Sequence, residues 1–481
     1  MQPNPRRWLI LIVLCLSTMV LVIDNMALTV AVPALAADLG ATSQDLQWIL
    51  ESYMLVFAGL LLTAGALSDR YGRRLLMVIG LALFGLASVA ATFATDPGQL
   101  IAARVAMGLG GAMVMPSTMS LLIVVFPDED ERRKAMAVGA AFAVLGLIGG
   151  PVVGGALVSS LGWEAVFWIN VPIAVVAIVT SLAFMPESKG PVTRPDPLGA
   201  VLSTIGMTAL VWTINESVHG INWLSLAVTV IGLAAFIGWE LRTEHPMVPL
   251  KLFRDRNFAG GSLSLTLVQI GNGGLLLLLT QYMQFVLGYT PAQAGAAFIP
   301  MFIASIVFNG IGVGLGSKLG NRTTAVIGML IMACGFAVLS FSSSDSFTAL
   351  AIAQVVLGAG SGLASPTAIA ALMSSIPTDQ AGVGSALNDT IQQAGAALGV
   401  AILGSLATAG YTAAMPSGSD EARRSIAAGM ADPALADAAR QAYDAAMSSA
   451  FLAATVGVLC AAVLAFVLLR GRKVSAILVT V

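Results

Sequence analysis

The sequence predicts an all-α membrane protein with fourteen transmembrane helices, arranged as two six-helix bundles plus two inserted helices. Three observations predict it. Hydrophobic residues make up 57% of the 481 and charged residues only 10%, with a mean hydropathy of +0.90. A soluble domain carries about 25% charged residues, so this chain cannot cover a water-facing surface. Apolar stretches able to cross a hydrocarbon layer of roughly 30 Å recur from end to end. A pattern in the first half of the chain also returns in the second.

In order, the apolar spans cover 8–33, 46–66, 75–94, 98–125, 135–160, 165–184, 198–214, 223–241, 258–286, 292–316, 323–342, 347–373, 379–408 and 449–470. Arg6 and Arg7 precede the first span as they would in a signal peptide. That run is too long, and its end "VPALAADLG" leads straight into another span, so a retained first helix is expected. All but four of the 23 Lys and Arg residues fall on the side of the two termini. The exceptions are Arg104 inside a span and Arg423, Arg424 and Arg440 in one long loop. Positive charge collects on the cytoplasmic side, so both termini are expected inside a bacterial plasma membrane. The lipid bilayer is then the principal surrounding of the chain.

The repeat defines the halves. "AARVAMGLGGAMVMPST" (102–118) matches "IAQVVLGAGSGLASPTA" (352–368), keeping Gly108/Gly358, Gly110/Gly360 and Pro116/Pro366 in register. "YGRRLLMVIG" (71–80) echoes "LGNRTTAVIG" (319–328) at a similar offset. Residues 1–184 and 258–481 are therefore expected as six-helix bundles. Residues 185–257, opening with the Pro-rich "PESKGPVTRPDP", hold two accessory spans. Paired halves around a midplane site are how many secondary transporters are built. In the outer loop 410–447, "DPALADAARQAYDAAM" places Asp432 as N-cap and Pro433 at the first helical position, predicting a short surface helix.

Several chemistries are excluded. Cys15, Cys334 and Cys460 all lie in apolar runs, so neither a disulfide framework nor a metal site is expected. No phosphate-binding loop or soluble catalytic domain is legible, which argues against an ATP-driven pump, an enzyme or a nucleic-acid partner. No cofactor and no catalytic residue is expected.

Four motifs carry a family resemblance. "GALSDRYGRR" (65–74) resembles motif A of the major facilitator superfamily. "GLIGGPVVGG" (146–155) is similar to motif C, which in that superfamily marks antiporters. Arg104 with Gly108 and Gly110 resembles motif B, and "DNMALTVAVP" (24–33) resembles the first-helix motif of the fourteen-helix drug:proton antiporters of the QacA/EmrB type. The chain departs from that pattern at Met26, where threonine is usual, and at Gln392 and Gln393, where many members carry Arg-Gln. Glu51 resembles an acid of the QacA-like subset. The resemblance implies the major facilitator fold and a monomer that exchanges protons for a small-molecule substrate.

The motif residues also have a plain physical reading. Gly65 and Gly72 permit a tight turn and close helix approach, while Asp69, Arg70 and Arg73 supply charge at helix ends that move with a gate. Gly146, Gly150, Gly154 and Gly155 recur at about one helical turn and let backbones approach, and Pro151 removes a helix hydrogen bond. Packing and gating both remain open for motif C.

Asp24, Glu51, Arg104 and Asp389 are ionisable residues inside spans. Such a group costs roughly 2.5–3.5 kcal/mol on insertion scales. One reading is a structural Asp24–Arg104 pair, although desolvation offsets much of its attraction. The other is a proton or cation site, since burial disfavours a charged carboxyl while a nearby guanidinium favours it. Tyr53, Gln281, Tyr282, Gln284, Asn388 and Gln392 are candidates to line a substrate cavity. The expected function is proton-coupled multidrug efflux of lipophilic, cationic compounds by alternating access. Export of a self-made antibiotic or lipid, or nutrient symport, are the alternatives.

Overall fold

The computed structural model describes residues 6–190, 195–244, 246–341, 347–376, 381–416 and 420–469, which among themselves contain helices and no strand. Fourteen helices are long and apolar enough to cross a membrane. In chain order these are α1 (Arg7–Asp38), α2 (Ser43–Tyr71), α3 (Arg73–Ala91), α4 (Pro97–Val125), α5 (Glu129–Leu161), α6 (Ala165–Phe184) and α7 (Pro197–Glu216). They continue as α8 (Trp223–Glu240), α9 (Arg256–Val286), α10 (Pro291–Leu319), α11 (Asn321–Phe341), α12 (Thr348–Met373), α13 (Val383–Ala414) and α14 (Ala436–Leu468). Each expected span has its helix.

The helices begin where polar side chains can take up free backbone N–H groups. Thr42 and Asp45 form a reciprocal cap on α2, and Asp96 and Asp196 cap α4 and α7 ahead of a proline in the first turn.

Packing repeats between the first six and last six helices. α1 packs on α5 and α6, α2 on α4, and α3 on α4 and α6. Correspondingly, α9 packs on α13 and α14, α10 on α12, and α11 on α12 and α14. The glycine repeat lies at the crossings. A Cβ on Gly80 would lie 2.7 Å from the Gly110 carbonyl, and one on Gly328 2.8 Å from that of Gly360. Gly108 likewise meets the Tyr53 carbonyl, and Gly358 that of Met301. Side chains at these points would force the helices apart.

The two sets meet chiefly through α2 on α13 and α5 on α10. The inserted helices pair with each other, and α7 also packs on both α2 and α13, beside that seam. We call the membrane face where α1 begins the near face. Toward the far face, α5 and α10 are buried against each other at Pro151, Gly155, Ala294 and Gly295. Toward the near face both are widely exposed, at Met136, Ala137, Ala140 and Ala141 of α5 and at Asn309, Gly310, Val313 and Gly314 of α10. Nothing lies within 4 Å of a Cβ placed on Gly139, Gly310 or Gly314. α5 and α10 therefore touch toward the far face and part toward the near one.

Two expectations are corrected. α1 does not end at Pro33 but continues to Asp38, because Leu35 and Ala36 are buried in the core and hold the last turns in place. Asp24 therefore lies about 21 Å from that helix end, near the middle of α1. The loop segment is not a separate surface helix capped by Asp432. Asp432 instead closes a turn, accepting from Ala434 and Ala436 N–H groups at 2.9 Å. Residues from Ala436 onward are the first turns of α14, since Ala439, Ala442, Tyr443 and Ala446 are buried and Tyr443 packs on Tyr411. Two short helices, Asp420–Arg424 and Ile426–Ala431, precede them.

Candidate functional site

The charges inside the first bundle converge. Arg104 Nη1 pairs with Asp24 Oδ2 at 2.5 Å, and both side chains are 0% exposed. The second carboxylate oxygen accepts from Asn170 Nδ2 at 2.7 Å, which also reaches Ser88 Oγ at 3.3 Å. The guanidinium donates to the Ile49 carbonyl at 3.2 Å and to Asn25 Oδ1 at 3.4 Å, and it stacks 4.4 Å over the Tyr53 ring. Helices α1, α2, α4 and α6 thus all touch one ion pair, and α3 joins them through Ser88 on Asn170. Each charged atom of Asp24 has a donor, which is what makes a charge tolerable in so apolar a place. At the position repeating Arg104, α12 carries Gln354, whose two amide atoms are buried without a hydrogen-bond partner. The buried ion pair has no counterpart at the repeated position.

Glu51 and Asp389 are elsewhere. Glu51 is fully buried on α2 and accepts from Asn215 Nδ2 of α7 at 2.8 Å. Its other oxygen, Oε1, has no partner. Asp389 on α13 is half-buried and accepts from Asn388 Nδ2 at 3.0 Å. Nearby, Gln392 lies 3.5 Å from Gln269, which in turn accepts from Asn272 at 3.1 Å. These half-buried polar residues of α9 and α13 form one group that Asp24 does not join.

The cavity candidates divide. Asn388 and Gln392 belong to the group around Asp389. Tyr53 does not face open space: at 1% exposure its ring lies under Arg104 and stacks on Phe57. Gln284 reaches across the halves to donate to the Val30 carbonyl at 2.9 Å, a far-side latch. Tyr282 is buried in the core of the second bundle, where the end of α9 widens into a π turn. Gln281 accepts from the Tyr443 hydroxyl at 3.1 Å and borders a cleft of about 10 Å³, too small for a substrate. Helical period alone could not tell which face of each helix meets a neighbour.

The motif loops are also resolved by geometry. Gly72, at φ 135°, makes the turn between α2 and α3, a backbone region that favours glycine. Gly65 approaches Pro116 of α4, and exposed Arg70 lies over Tyr71. Asp69 pairs with Arg73 at 2.8 Å, and its carbonyl accepts from Gly190 at 3.0 Å. Glu187 accepts from the N–H groups of Arg74 and Leu75, capping α3 from the segment after α6. In motif C, Gly146, Gly150 and Gly154 face α1 at Val22, Met26 and Ala27, whereas Gly155 turns to α10 and touches the Pro291 backbone. Asn170, Asn215 and Glu187 escaped the sequence reading. Two of them, Asn170 and Asn215, are amides in apolar runs, a signal weaker than a charge but of the same kind.

The family model described as Major Facilitator Superfamily matches residues 14–400 and again 261–477. The chain belongs to the major facilitator superfamily. It is therefore a multi-pass membrane transporter, and its curated relatives include multidrug efflux and antibiotic resistance and export proteins. It is 34% identical to the multidrug efflux pump LfrA of Mycolicibacterium smegmatis, over 97% of each chain. It is also 34% identical to the methyl viologen resistance protein SmvA of Salmonella typhimurium, over 85% of this chain and 84% of that one. Among solved structures it is similar to an inward-facing, unoccupied bacterial homologue of the human lysosomal transporter Spinster. That match has a TM-score of 0.67 and 17% identity, covering 98% of this chain and 99% of the other, and it shows the fold.

Proposed function

We propose that this chain is an efflux antiporter that exports lipophilic cations in exchange for protons, working as a monomer in a bacterial plasma membrane with both termini inside. Residues 1–184 and 258–481 would move as two bundles, with 185–257 supplying the accessory helices. The observation that carries the reading is the Asp24–Arg104 pair: a carboxylate in a membrane span, fully buried in a state whose α5 and α10 have parted toward the near face. A proton bound to Asp24 from the far side stays sealed until the bundles rearrange. The names of LfrA and SmvA, the latter naming the dication methyl viologen, support efflux of cations. The test is uptake of ethidium and methyl viologen into inverted proteoliposomes with an imposed pH gradient. Accumulation that collapses with the gradient is expected; flux in the symport direction, or none, rejects the reading.

Asp389 is the spanning acid that is not fully buried, so it is the one assigned to the substrate. Asp389→Asn should weaken methyl viologen binding about tenfold, equivalent to about 1.4 kcal/mol, and a matched monocation less. Titrations at fixed pH and salt check it, and equal losses for both compounds would remove Asp389 from substrate recognition.

Asp69 is assigned to the gate. Its pairing with Arg73 and with the 185–190 segment stiffens the near-face loop, away from the spanning acids. Asp69→Asn should lower turnover about tenfold, equivalent to about 1.4 kcal/mol in the barrier, with substrate affinity within twofold. Weaker binding at normal turnover contradicts that role.

A further inference from the structure

We infer that helix α7, which belongs to neither bundle, is a clasp on the far-side gate, with Asn215 as the positioning residue that holds the Glu51 carboxylate. The inference rests on the reading that the two bundles alternate, and it assigns a task to the accessory helices.

Three buried polar side chains from three helices make the clasp. Asn215 donates to Glu51 Oε2 of α2 at 2.8 Å, and its Oδ1 accepts from Ser405 Oγ of α13 at 3.4 Å. Their exposures are 2%, 0% and 4%, so water cannot substitute for any of them. Asn215 is the hydrogen-bond donor found for Glu51, whose Oε1 is buried and unpartnered. Removing that amide leaves a buried carboxyl without a donor, which is far more costly than losing one bond in water.

The two arms of the clasp are unequal. α7 is tied to α2 a second time, one turn-end away, by Gln44 donating to Glu216 at 3.0 Å. It also sits tightly on α2 at mid-span, where a Cβ on Gly59 would strike Thr204. Toward α13 the hydrogen bond is the longer Ser405 contact. α2 and α13 are two of the helices that must part when the far side opens, and Gln47 of α2 lies against Gly404 of α13 there. α7 therefore travels with α2 and releases at Ser405. Closure of the far side remakes the bond and returns Asn215 to a single geometry over Glu51.

The test uses the full-length protein with Cys15, Cys334 and Cys460 replaced by serine, and Ser43→Cys with Thr408→Cys as reporters. Both reporter positions border the same far-side cleft between α2 and α13. Asn215→Leu should slow cross-linking of this pair at least threefold in unliganded protein, and Ser405→Ala should slow it less. In a cycle with Glu51→Leu, the double variant should be no worse than the poorer single one, whereas independent structural losses would add. With ethidium as the transported probe, Asn215→Leu should lower kcat about tenfold, equivalent to about 1.4 kcal/mol, while KM stays within twofold. Unchanged cross-linking, additive losses, or a raised KM at normal kcat would each overturn the clasp. If Asn215→Leu does not fold, Ser405→Ala decides by the same readout. Cross-linking needs neither substrate nor a pH gradient, so a failure of the export reading would show in flux and leave this result standing.

Discussion

Asp24→Asn is expected to abolish pH-driven accumulation, by at least 100-fold, while leaving the protein folded and able to bind substrate. Asparagine keeps the shape of the side chain and can still accept from Arg104, but it cannot ionise. The guanidinium then loses its counter-charge. Removing one partner of a buried pair can cost about 3–5 kcal/mol. Here the cost is moderated, because Arg104 keeps the Ile49 carbonyl, Asn25 and the Tyr53 ring face. Asp24→Leu removes the acceptor as well and should reduce the folded yield, which separates the two roles. The measurement is accumulation of ethidium in inverted proteoliposomes at matched protein, beside equilibrium binding in detergent. An asparagine variant that still concentrates ethidium when a pH gradient is applied would reduce the pair to packing.

Much of this arrangement was legible in the residues, and the reasons differ by level. Span count and order follow from hydropathy, because the bilayer imposes one length and one polarity on every crossing. The internal repeat is legible because close helix crossings admit only small side chains, so Gly80 with Gly110 and Gly328 with Gly360 mark one corresponding crossing each. Asp24 and Arg104 stood out because charge in a span is rare, but their contact joins residues 80 apart and could not be read from spacing. Asn170 and Asn215 were passed over because an amide interrupts an apolar run less sharply than a charge. The least legible features depend on tertiary contact. α1 runs past Pro33, and α14 extends over what had read as a loop, because neighbouring helices bury those turns. Tyr53 and Gln284 point to Arg104 and Val30, a choice of face that helical period leaves undetermined.

Gly295→Val should trap the transporter with its far side open and lower export about 100-fold without unfolding it. Gly295 lies in the first turns of α10, where a Cβ would collide with the Pro151 carbonyl of α5. The contact is reciprocal, since a Cβ on Gly155 would collide with the Pro291 backbone of α10. Backbone stands on backbone at this point, so no flexible side chain can give way. Overpacking of this kind costs typically 1–3 kcal/mol. What matters is which state bears that cost. The collision exists only where α5 and α10 are pressed together at the far face, and their near-face halves are already apart. A penalty of about 2.8 kcal/mol on one of two states shifts their ratio about 100-fold. Gly295→Ala, which adds a single methyl group, should fall between valine and the parent. Spin labels at Ser160 and Gln293, on the far ends of α5 and α10, would read the change directly as a longer distance in the valine variant. Near-face access should shrink in parallel, seen as slower labelling of a cysteine placed at Gly310 by a membrane-impermeant maleimide. Were Gly295 merely a packing residue, valine would lower the folded yield and leave the label distances of the surviving protein unchanged. That outcome would separate close packing from gating at motif C, and it would place the far-side gate elsewhere than on Gly155 and Gly295.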